Sequence, residues 1–256
     1  MQLQEVKPEQ HEGPGIEFTE TMRGFASTTV TDDYKSAYDE GKKNHSKLEF
    51  TVTVNAPNLE RLIADSAHEA ILTGTVTAPA LSAAPMVLHN GRFHLLVRDV
   101  DQPGVRKMVY QMPLQSQEGR TYHLEGYKSI HDDSGPDVWS DTTTLYVTVR
   151  SGDASGPVVA KGMVHIHIMD FQKQLRTMKV TGSKNKLDEL KTMAKFGSFF
   201  VGSLNEIYGG VFARPTHFNP DAPPRERRQL RTGPPEIHFF TTQDGVRFTV
   251  ATIATG

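Results

Sequence analysis

The sequence predicts a mainly β domain, barrel-like or a sandwich, with two short helices and one long C-terminal amphipathic helix. Three observations carry this reading. Short runs that alternate apolar and polar residues recur at close spacing, as half-buried strands do. Turn-forming residues separate these runs, as in His89-Asn90-Gly91 and Ser116-Gln117-Glu118-Gly119. Finally, one stretch of about 25 residues near 184–208 steps its apolar positions by three and four, the helical period.

Along the chain, residues 1–16 are polar and carry Pro8, Gly13, Pro14 and Gly15, which suits a loose tail. Glu17 to Val30 is strand-like, rich in Thr and Phe. Lys47 to Val54 sets Leu48, Phe50, Val52 and Val54 on one face and Glu49, Thr51 and Thr53 on the other. Asn55 suits the cap of a short helix, Pro57 to Ala64, with proline in the tolerated first turn. Leu72 to Ala78 follows, then Pro85 to Val97, broken at His89-Asn90-Gly91 by a hairpin signal. Val105 to Leu114 pairs with Arg120 to Ile130, and Thr143 to Arg150 with Val158 to Ile168. Asp170 suits the cap of a second short helix, Phe171 to Met178. The long helix, Lys184 to Tyr208, has Ser183 at its start and Gly209-Gly210 at its end. Residues 211–256 form a proline-rich, basic strap ending in a hairpin, Glu236 to Phe240 and Arg247 to Ile253. The domain over 17–210 is thus lipocalin-like in architecture.

Composition narrows the function classes. Of 256 residues, 37 % are hydrophobic and 23 % charged, which fits a globular chain. A formal net charge of −2 gives no bias toward nucleic acid or an anionic membrane. With no cysteine, disulfides, thiolate zinc sites and cysteine nucleophiles are excluded, and a reducing, cytoplasmic location is expected. No signal core and no apolar run near the roughly 18 residues of a membrane helix is present, so no membrane span is expected.

Several segments together resemble a known region: Phe18 to Phe25, Gly74 to Ser82, Asp141 to Tyr146 and Asp170 to Leu175. They are similar to a β-rich module of large multidomain proteins. That module sits between a cholesterol-oxidase-like flavin oxidoreductase of the glucose–methanol–choline class and an α/β-hydrolase-like domain. The resemblance covers about residues 17–210, and Pro235 to Val246 looks like the opening strands of the hydrolase part. It implies an association with sterol-like or other apolar substrates and a flavin oxidoreductase as candidate partner. It transfers no catalytic residue. The Gly-x-Gly-x-x-Gly flavin fingerprint and the Gly-x-Ser-x-Gly nucleophile elbow are both absent from this chain.

Candidate chemistry lies in three groups. His165 and His167 leave the same face of one predicted strand, with Val164, Ile166 and Ile168 on the other. The pair suits a metal only with a third ligand, for which His94 and His123 are candidates, or it acts on an organic ligand inside a barrel. Around the acidic stretch from Lys128 to Asp141, Tyr110, Tyr122, Tyr127, Trp139 and Tyr146 offer apolar rings with polar tips. Lys128 with Asp132 and Asp133 makes either a salt-bridged corner or an acid–base set with a raised carboxyl pKa. Asp170 reads better as a cap than as a catalyst.

The expectation is an enzyme without cofactor or metal. It would enclose an apolar small molecule, such as an isoprenoid, sterol or polyketide, and promote a non-redox isomerisation or cyclisation. His165, His167, Asp132, Asp133 and Lys128 are the expected catalytic set, and Tyr110, Tyr122, His123, Tyr127, Trp139, Tyr146 and His94 the expected binding set. The alternatives are a non-catalytic sterol- or lipid-binding accessory module and a structural docking domain. A small-molecule role in the barrel requires imidazoles turned inward and an interior with room.

Overall fold

In the computed structural model, residues 13–99, 105–130, 144–166, 177–207, 236–241 and 247–252 are described. Eight antiparallel strands close into a barrel: β1 (Gly15–Ser27), β2 (Lys47–Ala56), β3 (Glu69–Thr77), β4 (Met86–Arg98), β5 (Arg106–Gln115), β6 (Thr121–Ile130), β7 (Thr144–Ser151) and β8 (Val158–His165). Each strand pairs with its sequence neighbour. The circle closes where β1 pairs with both β2 and β8. A short β9 (Lys179–Thr181) adds to the start of β1, outside the closed circuit. Closure leaves the barrel without a bare edge, so no row of unpaired backbone groups invites another chain.

Alternation decides which side chains fill the middle. In β2, Leu48, Phe50, Val52, Val54 and Ala56 are buried and point inward, while Glu49, Thr51 and Thr53 line the outside. The same period buries Leu145, Val147 and Val149 of β7 and Ala160, Val164 and Ile166 at β8. The resulting core is continuous through all eight strands.

Three helices accompany the barrel among the described residues. The first, α1 (Tyr34–Lys43), is absent from the sequence expectation. Asp33 caps it, its carboxylate accepting the backbone N–H of Ser36 at 2.7 Å. It packs on the outer wall over β1 and β8, with Ala37 and Gly41 buried. A Cβ on Gly41 would lie 2.5 Å from the Ala26 carbonyl oxygen, so only glycine lets the helix sit this close. The second, α2 (Leu59–Ala64), begins later than expected, because Asn58 rather than Asn55 caps it. The third, α3 (Lys186–Ile207), is capped by Asn185, whose side chain accepts the Asp188 N–H at 2.9 Å, and not by Ser183.

The hairpin expected at His89-Asn90-Gly91 is corrected. β4 runs unbroken through it, and the ladder shifts register between Leu88 and Arg92. Three residues from Met86 to Leu88 are too short for a hairpin arm, and both flanks of the irregularity pair with β3 and β5, so the Asn-Gly pair makes a bulge. The β3 ladder shifts opposite the same bulge, between Leu72 and Gly74, and a second irregularity in β4 lies between His94 and Val97. Gly74 has φ +147°, and a Cβ there would meet the Thr51 carbonyl oxygen at 2.2 Å.

The expected tail at 1–16 gives Gly15 and Ile16 to β1. The expected helix Phe171 to Met178 falls largely outside the described residues. The C-terminal hairpin forms a sheet of its own, β10 (Glu236–Thr241) with β11 (Arg247–Thr252). No helix among the described residues is long and apolar enough to cross a membrane.

Candidate functional site

The two ends of the barrel are covered differently. At one end, where β1 begins and β2 leads into α2, α3 lies across the opening with Met193 and Phe196 buried. Lys195 forms a salt bridge to Glu60 of α2, and the Phe199 ring meets His68 at 5.0 Å. Beneath Phe196 is an apolar void of about 10 Å³, lined by Ile16, Phe18, Val54, Leu62 and Phe93 among others, with room for about one water. At the other end the β3–β4 connection folds over the strands. The Tyr122 hydroxyl donates to the Leu81 carbonyl at 3.1 Å, and the Ser82 hydroxyl to Glu118 at 3.0 Å.

Between these covers lies a mostly apolar interior that holds a group of ionisable side chains. Glu20 of β1, Tyr110 of β5 and Lys128 of β6 are 3 %, 1 % and 3 % exposed. Each shares the parity of apolar neighbours on its strand: Phe18 and Met22 around Glu20, Met108 and Met112 around Tyr110, Leu124 and Ile130 along from Lys128. Strand alternation therefore aims all three inward, Tyr110 and Lys128 from the paired strands β5 and β6 and Glu20 from β1 across the circuit. The Tyr110 hydroxyl hydrogen-bonds the Glu20 carboxylate, and the Lys128 ammonium sits 5.5 Å from the Tyr110 ring centre. Phe93 and Phe50 flank Tyr110, at 4.8 and 6.1 Å between ring centres.

The dry setting tunes these groups. Burial pushes the Tyr110 hydroxyl well above its ordinary range, and the Glu20 charge and hydrogen bond add to the shift. Burial lowers the Lys128 ammonium, against the pull of Glu20, which favours the charged form. Arg106, at the start of β5, is also buried and donates to the Leu96 carbonyl at 2.9 Å. A carboxylate bonded to a phenol can pass a proton to a bound molecule, and the buried amine lies over the phenol ring.

The expected residues divide between the two faces of the wall. Lys128, Tyr110 and Tyr122 face inward, although Tyr122 lies at the β3–β4 end and is held by Leu81. His165 does not turn inward, which corrects the requirement set above. Val164 and Ile166 take the core, and His165 stands on the outer wall. There its Nδ1 is 3.0 Å from the Thr144 hydroxyl and its ring meets Tyr38 of α1 at 5.6 Å. Tyr127 and Tyr146 are also outside, stacked at 5.3 Å with Tyr34 of α1 against both. Burial, and then the neighbouring Tyr34 and Tyr146, raise the Tyr127 hydroxyl. His94 meets the Ala67 carbonyl and His123 lies 3.6 Å from Glu125, both on outer faces.

Since His94, His123 and His165 occupy β4, β6 and β8, a strand separates each from the next, and they do not converge as ligands. No group of three metal-binding side chains forms among the described residues. Asp132, Asp133, Trp139, His167 and Asp170 lie outside the described residues. β6 ends at Ile130 and β7 begins at Thr144, both at the α2 end of the barrel.

Glu20 was missed by sequence reasoning. Its signal was present: an acid between Phe18 and Met22 on the apolar parity of a strand otherwise faced with threonine. No family model, no curated protein and no solved structure matches this chain.

Proposed function

We propose that the barrel encloses one apolar small molecule against Glu20, Tyr110 and Lys128, and that these groups move a proton on it in a non-redox isomerisation. One observation carries the reading: three ionisable side chains from three strands turn into a mostly apolar closed barrel, which Arg106 also enters from the start of β5. Burying such a set costs stability, and well-packed apolar residues of similar volume would serve a pure scaffold equally well or better. Function is the reason to keep it. Glu20 is the base or acid, Lys128 sets its charge, and Tyr110 supplies the hydroxyl that orients an oxygen on the substrate. The resemblance to a module beside sterol-type oxidoreductases supports an apolar substrate such as a sterol or isoprenoid. His165 leaves the catalytic set because it stands on the outer wall.

Space for the molecule comes from side chains that can move. Met22, Met86, Met108 and Met112 are buried in the interior, and unbranched thioethers repack more readily than β-branched residues. The α3 end, held by a few side chains, is the route of ingress.

The test is thermal unfolding of the full chain with sterols, isoprenoid alcohols and long-chain alcohols. A ligand at a hundredfold excess over its Kd adds about 2.7 kcal/mol, raising Tm by roughly 5–10 °C for a domain of this size. Glu20→Gln should then abolish turnover of the bound compound, assayed at a temperature where unfolding curves show the destabilised variant still folded. The filled interior favours a second reading, a docking scaffold, and a flat Tm across all three ligand classes would select it.

A further inference from the structure

We propose that the outward face of α3 docks the mouth of the barrel onto the surface of an anionic lipid bilayer. The inference goes beyond the reading above, and its test involves no enclosed ligand, so either can fail without the other. Among the described residues three large hydrophobic side chains are exposed: Ile71, Leu187 and Leu190. Ile71 stands apart on β3, and single apolar residues at a surface are ordinary. Leu187 and Leu190 are 61 % and 40 % exposed and lie one turn apart on α3, with exposed Ala194 a turn further on. The other side of the same helix buries Thr192, Met193 and Phe196 against the barrel. A helix that is apolar on both sides has two faces to cover, and at this one Leu187 and Leu190 remain open.

Charge identifies the partner. Lys191 and Lys195 are exposed beside the leucines, and Lys184 and Lys186, also exposed, precede them. The acids of the same turns are half-buried and engaged. Asp188 accepts the Lys184 backbone N–H at 3.0 Å, and Glu189 accepts from the Lys186 ammonium at 3.2 Å. Glu60 of α2 is tied to Lys195. The outward surface is thus a pair of leucines fringed by lysines, a local sorting that the net charge of −2 conceals. Apolar side chains of such a helix enter the headgroup boundary, while lysine stems let the ammonium groups reach lipid phosphates. A helix of this kind lies on a bilayer and does not span it. A second copy of the chain fits less well. A stable dimer needs about 800 Å² and roughly 20–30 residues from each partner. This stripe offers three apolar residues over two turns, and twofold pairing would bring its lysines together. Docking on a bilayer sets the α3 end, with the apolar void beneath Phe196, against a phase in which apolar molecules dissolve.

The test is co-sedimentation of the full chain with vesicles of phosphatidylcholine alone and of phosphatidylcholine with about one third phosphatidylserine. It is run at low salt and at about 1 M, where the screening length is about 3 Å. Binding to the mixed vesicles should exceed binding to phosphatidylcholine about tenfold or more at low salt, and the excess should vanish at high salt. Lys191→Gln should weaken binding to the mixed vesicles about fivefold, the effect of one lysine at such a surface. Leu187→Gln combined with Leu190→Gln should weaken it about tenfold or more. These side chains are exposed, so the variants keep the fold. Lys43→Gln, on an exposed lysine of α1 at the far end of the barrel, should leave binding unchanged. Absence of binding to the mixed vesicles overturns the proposal, as does equal binding to both lipids or binding that the leucine substitutions leave intact. A dimer in sedimentation velocity that those substitutions dissociate, without vesicle binding, gives the face to a second copy and overturns it likewise.

Discussion

Tyr127 and Lys128 are neighbours on β6, yet they belong to different environments. Tyr127 lies on the outer wall, stacked on Tyr146, touched by Tyr34 and approached by Lys107 at 5.9 Å. Lys128 is sealed within the barrel beside Tyr110 and Glu20. Both walls therefore set lysine against tyrosine. The outer set lets its charges reach water: Lys161 crosses the Tyr34 ring at 4.9 Å and also donates to the Asp32 carbonyl. Outside, these contacts are small additions to a solvated surface. Inside, each charge depends on the others, because no water compensates for a missing partner. One residue of register separates a decorative contact from an energetic commitment.

Removing one inner charge should have the largest effect. Glu20→Gln or Lys128→Met alone upsets the charge balance of the sealed interior and should cost about 3–5 kcal/mol in urea unfolding. The double replacement Glu20→Leu with Lys128→Met should regain most of that loss, giving a strongly non-additive cycle. Lys161→Met on the outer wall should cost less than about 1 kcal/mol. Equal costs on the two walls would break the comparison. The hydroxyls come next. Tyr110→Phe removes a hydrogen bond to a carboxylate and should cost about 1.5–3 kcal/mol. Tyr34→Phe removes a neutral bond to the Thr148 hydroxyl, 3.0 Å long, and should cost about 0.5–1.5 kcal/mol by the same measurement.

This division between walls was legible strand by strand but not as a site. Lys128 shares its parity with Tyr122, Leu124 and Ile130, and His165 shares its parity with Lys161 and Met163, so alternation alone assigns the first inward and the second outward. Grouping tyrosines by closeness along the chain mixed the two faces, which is why Tyr127 and Tyr146 were expected beside Tyr110. What alternation could not supply was convergence. Glu20 meets Tyr110 and Lys128 only because the barrel closes between β8 and β1 and brings the start of the chain into one interior with its middle. The strand ladder was read almost whole, since each strand carries its own period. α1 was missed because its polar composition hides a stripe of Tyr34, Ala37, Tyr38 and Gly41 behind the Asp33 cap. Asn90-Gly91 misled because its local turn signal was overruled by partners on both sides.

The smallest expected effect concerns a second glutamate, which sharpens the comparison by pairing an acid with hydroxyls at the solvent rather than in the core. Glu118, in the β5–β6 turn, is held at a pKa of about 2, down from 4.5. The Ser116 hydroxyl is the main cause, followed by its own backbone N–H, the Ser82 hydroxyl and the Ala83 N–H. Ser82 belongs to the β3–β4 connection, so this carboxylate fastens the cover at that end of the barrel. A carboxyl depressed in the folded state binds fewer protons there than in the unfolded chain. Its contribution is complete above pH 4.5 and is lost as pH falls through the window down to about 2. Glu118→Gln keeps the size but accepts from the serines without a charge. Its urea midpoint should fall modestly below that of the wild type at pH 7 and approach it only as pH nears about 2. Because the group is exposed, solvent screening keeps the difference slight. An unchanged gap between the two proteins across that window would mean that the rim carboxylate is tied no better in the fold than in the open chain.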